Sequence, residues 1–415
     1  MKLAPGTPLS VSLAFDPSTR LPIARLAMEK RVAQLEWSNE VIAQALPVSP
    51  LKYPPEPGLH AASELSFNGL HGFLSDSLPE QWGYLVLRKR LAKFGVDIAS
   101  LSPLDLLALV GSQGRGALVF EPATTPLGDA ESLDLDALAA DSILLLEGEE
   151  AGLADTLAKL GGGSGGARPK INIGFDGKGK VSIGTSEVAP GQEAWIVKFR
   201  APTDPNDIGP IEEAYAAMAT AAGLSLSEHR LIKAKKGPGH FATHRFDRLA
   251  NGKRLHMVSF AGAIEAHSDS PSSYDLLLRA TRAITRRVDD VAAVFQRMVF
   301  NVLAHNRDDH TRQHAYLMDR NGAWRLAPAY DLTYAAGPSG EHYLDVEGEG
   351  RRPTRAHVLK LGGRHGLNDK NILGIIDRVR AAVCDWPKFA TLAGVSAAST
   401  KSIGAAHTRV WTDFD

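Results

Sequence analysis

Residues 8–16, PLSVSLAFD, alternate apolar and polar side chains with a period of two, which predicts a strand with one buried face. The stretch 22–37, PIARLAMEKRVAQLEW, predicts two more strands split by a polar turn, and prolines at 47, 50, 54, 55 and 57 predict a loop after them. The period then lengthens. Trp82, Leu85, Leu87 and Leu91, with basic residues between them, have helical spacing. Residues 100–122, SLSPLDLLALVGSQGRGALVFEP, read as a capped helix, a glycine turn and a strand. The acidic, leucine-rich stretch 129–160 predicts helix.

A second pattern begins at 161. GGGSGGARPKINIGFDGKGKVSIGTS reads as a glycine-rich loop, a strand from Lys170 to Phe175, a Gly/Lys turn and another strand. EAWIVKFR is a third strand carrying Lys198. PIEEAYAAMATAAGL predicts a helix with Pro210 near its start and Gly223 near its end. GHFATHRFDRL returns as a strand. Beyond about residue 250 the pattern is mainly helical, and Val288, Val291, Phe295, Met298, Val299, Val302 and Leu303 share one apolar face. The expected organisation is an N-terminal α/β subdomain (1–125), a unit with the glycine-rich loop (126–250) and a helical C-terminal unit (251–415). No internal repeat is evident.

Composition narrows the classes. The chain has 415 residues, with 46 basic against 47 acidic side chains, which argues against a strongly basic nucleic-acid binder. A single cysteine, Cys384, excludes a disulfide framework or a cysteine zinc site within one chain. The N-terminus lacks a basic start followed by a long apolar run, and no stretch approaches the roughly 20 apolar residues of a membrane span. The expectation is a cytoplasmic protein without membrane association.

The helix ending near Leu303 delivers the polar segment HNRDDHTRQH (305–314). A strand is expected from Gln313 to Met318, then an Asn321-Gly322 turn, a return strand AWRLAP, and AYDL with Asp331. Asp308 and Asp331 thus stand at the two open ends of a hairpin, the arrangement of the catalytic loop and metal-binding aspartate in protein kinases. Gln313 lies five residues after Asp308, where the kinase loop carries a metal-ligating Asn. Phosphoryl transfer further needs a phosphate cradle, a cation and an anchor for that cation. The glycine run offers the first, Lys198 in its apolar strand the second, and Glu212 or Glu213 the third. Singly, each has an ordinary structural explanation: a linker, a snorkelling lysine, a helix-dipole complement. Their order makes the kinase reading the better one.

Several segments, in order, resemble the HipA-type serine/threonine kinases, toxins of type II toxin–antitoxin modules. They are FNGLHGFLSDSLPEQWG (67–83), GGARPK (165–170), WIVKF (195–199), HRFDR (244–248), FNVLAHNRDDHTRQHAYL (300–317) and LAPAYDL (326–332). The resemblance covers most of the chain and implies an α+β, two-lobed, protein-kinase-like fold with a mixed α/β N-terminal half and a mainly helical C-terminal half. It implies Asp308 as the group that orients and deprotonates a protein hydroxyl, and Gln313 and Asp331 as ligands of Mg²⁺. Lys198 would meet the ATP phosphates, and Gly163, Ser164, Gly165, Gly166 and Ala167 would cover them. His310 and Tyr330 would flank the nucleotide. His244 to Phe246 would form the adenine hinge through their backbone, with Asp247 nearby. Partners implied are a protein substrate, aminoacyl-tRNA synthetases being the family's targets, and a helix-turn-helix antitoxin of the HipB type through which operator DNA is reached. Ser164 is the candidate for autophosphorylation.

This chain departs from the family in having Gln313 where Asn is usual. One rival is therefore a degenerate kinase or binding module acting with a DNA-binding antitoxin. Another is a metal-dependent hydrolase or nuclease using His305, Asp308, Asp309, His310 and His314. On the kinase reading, Asp309, Arg312 and His314 are framework or solvent-facing.

Overall fold

The alternating N-terminal segments assemble into an antiparallel sheet. Its strands are β1 (Leu9–Asp16), β2 (Thr19–Glu29), β3 (Val32–Trp37), β4 (Leu59–Ala61) and β5 (Leu118–Glu121), in the order β4-β3-β2-β1-β5. Leu9, Val11 and Leu13 lie buried with Trp37, Phe73 and Phe120 in one core. The helix Pro103–Val110 starts on a capping box between Ser102 and Asp105, as the sequence predicts. This computed structural model describes residues 3–4, 7–64, 66–124, 134–161, 166–176, 181–183, 191–235 and 237–415. Gly163, Ser164 and Gly165, and the expected Gly/Lys turn at 177–180, lie outside the described residues.

A second antiparallel sheet follows two helices, Leu135–Glu147 and Ala154–Gly161. Its strands are β6 (Lys170–Asp176), β7 (Val181–Ile183), β8 (Gln192–Lys198), β9 (His229–Ile232) and β10 (His240–His244), in the order β7-β6-β8-β10-β9. The helix Ile208–Ala221 packs on β9 and β10. The strand expected through Leu249 ends at His244, after one further ladder bond from the Arg245 N–H to the Ala194 carbonyl at 2.8 Å.

The C-terminal half is helical as expected, but it also holds a small sheet of β11 (His256–Ser259), β13 (Ala315–Met318) and β14 (Trp324–Leu326). A two-residue pair, β12 (Ser272–Ser273) with β15 (Leu344–Asp345), runs parallel. On the long helix Val288–Leu303 the expected apolar residues are buried except Val288, which is 77% exposed in the first turn, beyond the reach of the core. The mixed α/β half and mainly helical half of the expected α+β fold are both present. No helix among the described residues is long and apolar enough to cross a membrane.

Two expectations about the hairpin need correction. Residues 311–313 form a single 3₁₀ turn, and the strand starts only at Ala315. The cause is local: the His310 carbonyl accepts from the Gln313 N–H at 2.9 Å, and the His310 Nδ1 accepts from the Arg312 N–H at 3.2 Å. Nor is the turn built on two positive φ angles. Only Gly322 has one (φ +79°), while the Asp319 carboxylate accepts from the Asn321 and Ala323 N–H groups at 2.9 and 3.1 Å.

The N-terminal motif is explained by packing. A Cβ at Gly72 would lie 2.3 Å from the Gly262 carbonyl oxygen, so a side chain there would part the two short helices Gly72–Ser75 and Phe260–Ile264. Beside them Asp76 accepts from both the N–H and hydroxyl of Ser259, each at 2.6 Å. Residues 67–83 thus seat the first sheet on the C-terminal half.

Candidate functional site

Lys198 lies at the end of β8, where the strand's alternation turns its side chain toward the space between the second sheet and the C-terminal half. Its ammonium donates to Glu212 at 3.1 Å and to Asp331. Glu213, the other candidate anchor, instead faces His229 at 2.9 Å. Consecutive helical residues point about 100° apart, so only one of the two can face the sheet. Burial works against the Lys198 ammonium, but Asp331 and Glu212 outweigh it and hold its pKa above the ordinary lysine value. Burial also opposes the Asp331 carboxylate, and Lys198 and then Lys170 bring it well below the usual range. Asp331 has a left-handed backbone (φ +57°), an uncommon conformation for a non-glycine residue.

Gln313 approaches from the other side and donates its side-chain amide to the second Asp331 oxygen at 3.0 Å. The Asp308 side chain is 45% exposed, and the Nε2 of the cleft-lining His310 is 3.9 Å from its carboxylate. Partial burial, then the nearby Asp331, raise the Asp308 pKa above the ordinary carboxylate value against the opposing pull of His310. The structure therefore gathers His310, Gln313, Asp331 and Lys198 around one cleft, and Asp308 lies outside its lining, beside His310.

The far end of the cleft is apolar. Phe246 and Tyr330 face each other with ring centroids 5.5 Å apart, and the Tyr330 hydroxyl donates to the Arg312 carbonyl at 2.6 Å. Ile196, Leu226, Met257 and Leu332 also line the cleft. The His244 N–H is already donated to the Glu228 carbonyl at 2.8 Å, so of the segment 244–246 the Phe246 N–H is the donor left for a ligand among the described residues. Asp247 lines the cleft, but its carboxylate is taken by Arg245 at 2.8 Å, Arg248 at 2.6 Å and the Gly116 N–H at 2.7 Å. These contacts tie the segment 245–248 to the turn at Gly116. Gly166 also lines the cleft, and Ala167, next to it, is exposed.

Asp309, Arg312 and His314 are framework. Asp309 is buried and accepts from Tyr274 at 2.6 Å, His342 at 2.8 Å and the Tyr343 N–H at 2.9 Å. His314 is buried, and burial pushes its pKa down to about 3. His305 turns to the Ala335 carbonyl at 3.1 Å and stacks on Tyr334. Of the five residues of the metal-hydrolase reading only Asp308 and His310 approach each other, at 3.9 Å, and no three His, Cys, Asp or Glu side chains among the described residues converge as metal ligands.

Three site residues were not singled out from the sequence. Lys170 sits directly across the ladder from Lys198, and its ammonium, buried and within 4 Å of no carboxylate among the described residues, is held below the ordinary lysine value chiefly by burial. Glu80 and Arg115, from the N-terminal part, also line the cleft. The GGARPK segment contains Lys170, and antiparallel pairing of β6 with β8 was the signal that would have placed it beside Lys198.

Residues 162–386 match the HipA-like C-terminal domain family, and residues 18–121 match the HipA N-terminal domain family. Among solved structures, a chain of the HipA, HipB and operator DNA toxin–antitoxin complex of Shewanella oneidensis MR-1 is similar over 98% of this chain and 96% of that chain. The TM-score is 0.68 at 18% identity, a likeness of fold. The Helicobacter pylori proinflammatory kinase CtkA overlaps 53% of this chain and 91% of its own, with 17% identity and a TM-score of 0.34. No curated protein sequence matches.

Proposed function

The chain belongs to the HipA family, and from that premise we propose that it is a Mg²⁺/ATP-dependent serine/threonine protein kinase whose activity arrests growth. The observation that carries this reading is the chain of contacts Glu212–Lys198–Asp331–Gln313 in the cleft, with Asp308 3.9 Å from the cleft-lining His310. An ion pair that anchors a strand lysine and directs it at a metal-binding aspartate is a recurring part of phosphoryl-transfer sites.

The residues fit the implied ligands. Asp331 and Gln313 offer hard oxygens of the kind Mg²⁺ prefers, one charged and one neutral. They are the pair that would hold the ion, which when bound neutralises charge on the transferring phosphoryl group. Lys198 and Lys170, side by side on β8 and β6, bring two ammonium groups to the phosphate end of the cleft. Phe246 and Tyr330 would receive the base, and the Phe246 N–H is the group that would donate to it. Asp308, half exposed beside His310 and with a raised pKa, accepts the proton of an incoming hydroxyl. Most of the rate comes from positioning and charge, since little covalent chemistry falls to the protein.

The likeness to a chain solved with HipB and operator DNA supports an antitoxin of the HipB type as partner, with operator DNA reached through it. The substrate class is a protein hydroxyl, an aminoacyl-tRNA synthetase being the first to test. Incubating purified protein with γ-labelled ATP, alone and with cell extract, tests transfer and reveals the acceptor. Label on a protein acceptor that disappears with Asp308→Asn supports the reading. Nucleotide binding without any transfer would instead favour a degenerate kinase acting as a binding module.

A further inference from the structure

Glu80 belongs to the N-terminal part of the chain, yet its carboxylate ends in the nucleotide cleft. One oxygen accepts from Arg312 of the catalytic segment at 2.7 Å and also from Arg115. The other accepts from the Gly166 N–H, at the end of the glycine-rich run. Glu80 stands at the N-cap of the helix Gln81–Ala92 but makes no capping bond. Glutamate is not a favoured capping residue, and this side chain is directed elsewhere.

Trp82, two residues on, holds the same segment. Its N–H donates to the Gly166 carbonyl at 3.2 Å, and its indole N–H to the Lys170 carbonyl at 2.9 Å. A Cβ at Gly161 would lie 2.8 Å from that indole nitrogen and 2.7 Å from the Lys170 oxygen. Gly161 and Gly166, on either side of the glycine run, are therefore both pressed against the start of this helix. The contacts are partly buried, with 17% of the Glu80 side chain and 12% of the Arg312 side chain exposed, so they are less screened than surface pairs.

We propose that Glu80 is a positioning residue for the nucleotide site: it fixes Gly166 and Arg312 relative to each other. It thereby sets the gap between the phosphate-binding segment and the turn that carries Gln313. The proposal rests on the nucleotide-site reading above, and it makes the N-terminal unit part of the phosphate-binding machinery rather than an appendage. A glutamate suits the task because its two oxygens serve two guanidinium groups and an N–H at once. A glutamine keeps the shape but loses the charge.

The test is Glu80→Gln in the full chain, with folding confirmed by circular dichroism. Three quantities are measured: exchange of the Gly166 amide hydrogen, affinity for a trinitrophenyl-ATP probe, and KM and kcat for transfer. We expect faster Gly166 exchange and probe affinity lower by about tenfold, the loss of one charge-assisted hydrogen bond. We also expect kcat/KM lower by up to about 100-fold through misplacement of the phosphates. A purely structural role would lower the melting temperature while leaving exchange, affinity and kinetics of the folded protein unchanged, and that result overturns the proposal. If the wild-type chain binds the probe but transfers no phosphate, the kinase reading fails, while exchange and affinity still decide the role of Glu80. If Glu80→Gln does not fold, Arg312→Gln is measured instead and is expected to speed Gly166 exchange by releasing Glu80. No change there also overturns the proposal.

Discussion

Asp308 and Asp309 are adjacent in sequence and face opposite ways. Asp308 is half exposed beside His310, while Asp309 is sealed in by Tyr274, His342 and the Tyr343 N–H. Substituting each with Asn therefore separates chemistry from stability. Asp308→Asn should lower phosphate transfer by roughly 10²–10⁴-fold, the contribution of a general base, and leave the urea midpoint unchanged. Asp309→Asn should cost about 2 kcal/mol or more, since it disturbs buried, charge-assisted hydrogen bonds. Equal loss of stability in both variants would contradict this division.

The same carboxylate sets a pH dependence. The Asp308 pKa is raised above the ordinary 3.8, mainly by burial. The base form is lost as pH falls through the raised value, so the acid limb of kcat should lie above that of an ordinary aspartate. The stability sign is opposite to that of a salt-bridged aspartate. The folded chain binds this proton more tightly than the unfolded chain does, so Asp308 favours the folded state at low pH. That contribution fades as pH rises from about 3.8 through the folded value. At pH 7, Asp308→Asn should be neutral or slightly stabilising, a point that differential scanning calorimetry decides.

Gln313 bonded to Asp331 is where this chain differs from the usual Asn. Gln313→Asn should preserve or raise transfer. Gln313→Ala should raise the Mg²⁺ concentration needed for half-maximal activity by about 10–100-fold. A Mg²⁺ titration of the three proteins checks both, and a clear loss in the Asn variant would show that the metal ligands are arranged otherwise.

Lys198→Met removes the cation between Glu212 and Asp331. Breaking a buried pair leaves charge uncompensated and costs about 3 kcal/mol, reduced here by Arg168, 3.6 Å from Glu212. Nucleotide affinity should also fall sharply. Adding Glu212→Gln to Lys198→Met should recover part of the stability but none of the affinity, as chemical denaturation and probe binding would reveal.

His71, His256 and His407 are buried, and burial pushes the pKa of each down to about 4 from the ordinary 6.5. The unfolded chain takes up these protons first. Stability present above pH 6.5 is therefore lost as pH falls toward 4, on the order of 3 kcal/mol per residue. Urea midpoints at pH 7.5 and 5 should differ markedly, and a flat profile across that interval would count against buried neutral histidines.

Much of this protein was legible in its sequence because periodicity and spacing are local properties. The alternation in β1, the helix Val288–Leu303, the glycine run, and the spacing of Asp308, Gln313 and Asp331 all arise from residues near one another in the chain. Which way a side chain points does not. Asp309 and Asp308 carry the same group, and only the packing of Tyr274 and His342 turns one of them inward. Glu212 rather than Glu213 anchors Lys198 because of how its helix is rotated against the sheet. The hairpin turn departs from the Asn-Gly rule because the Asp319 side chain supplies acceptors that the rule does not count. Lys170 came to Lys198 through strand pairing, and Glu80 reached Arg312 across 232 residues of chain. Sequence alone determined most of the elements and the chemical groups available. Tertiary structure decided which groups meet, because burial, charge pairing and register are set by partners far away along the chain.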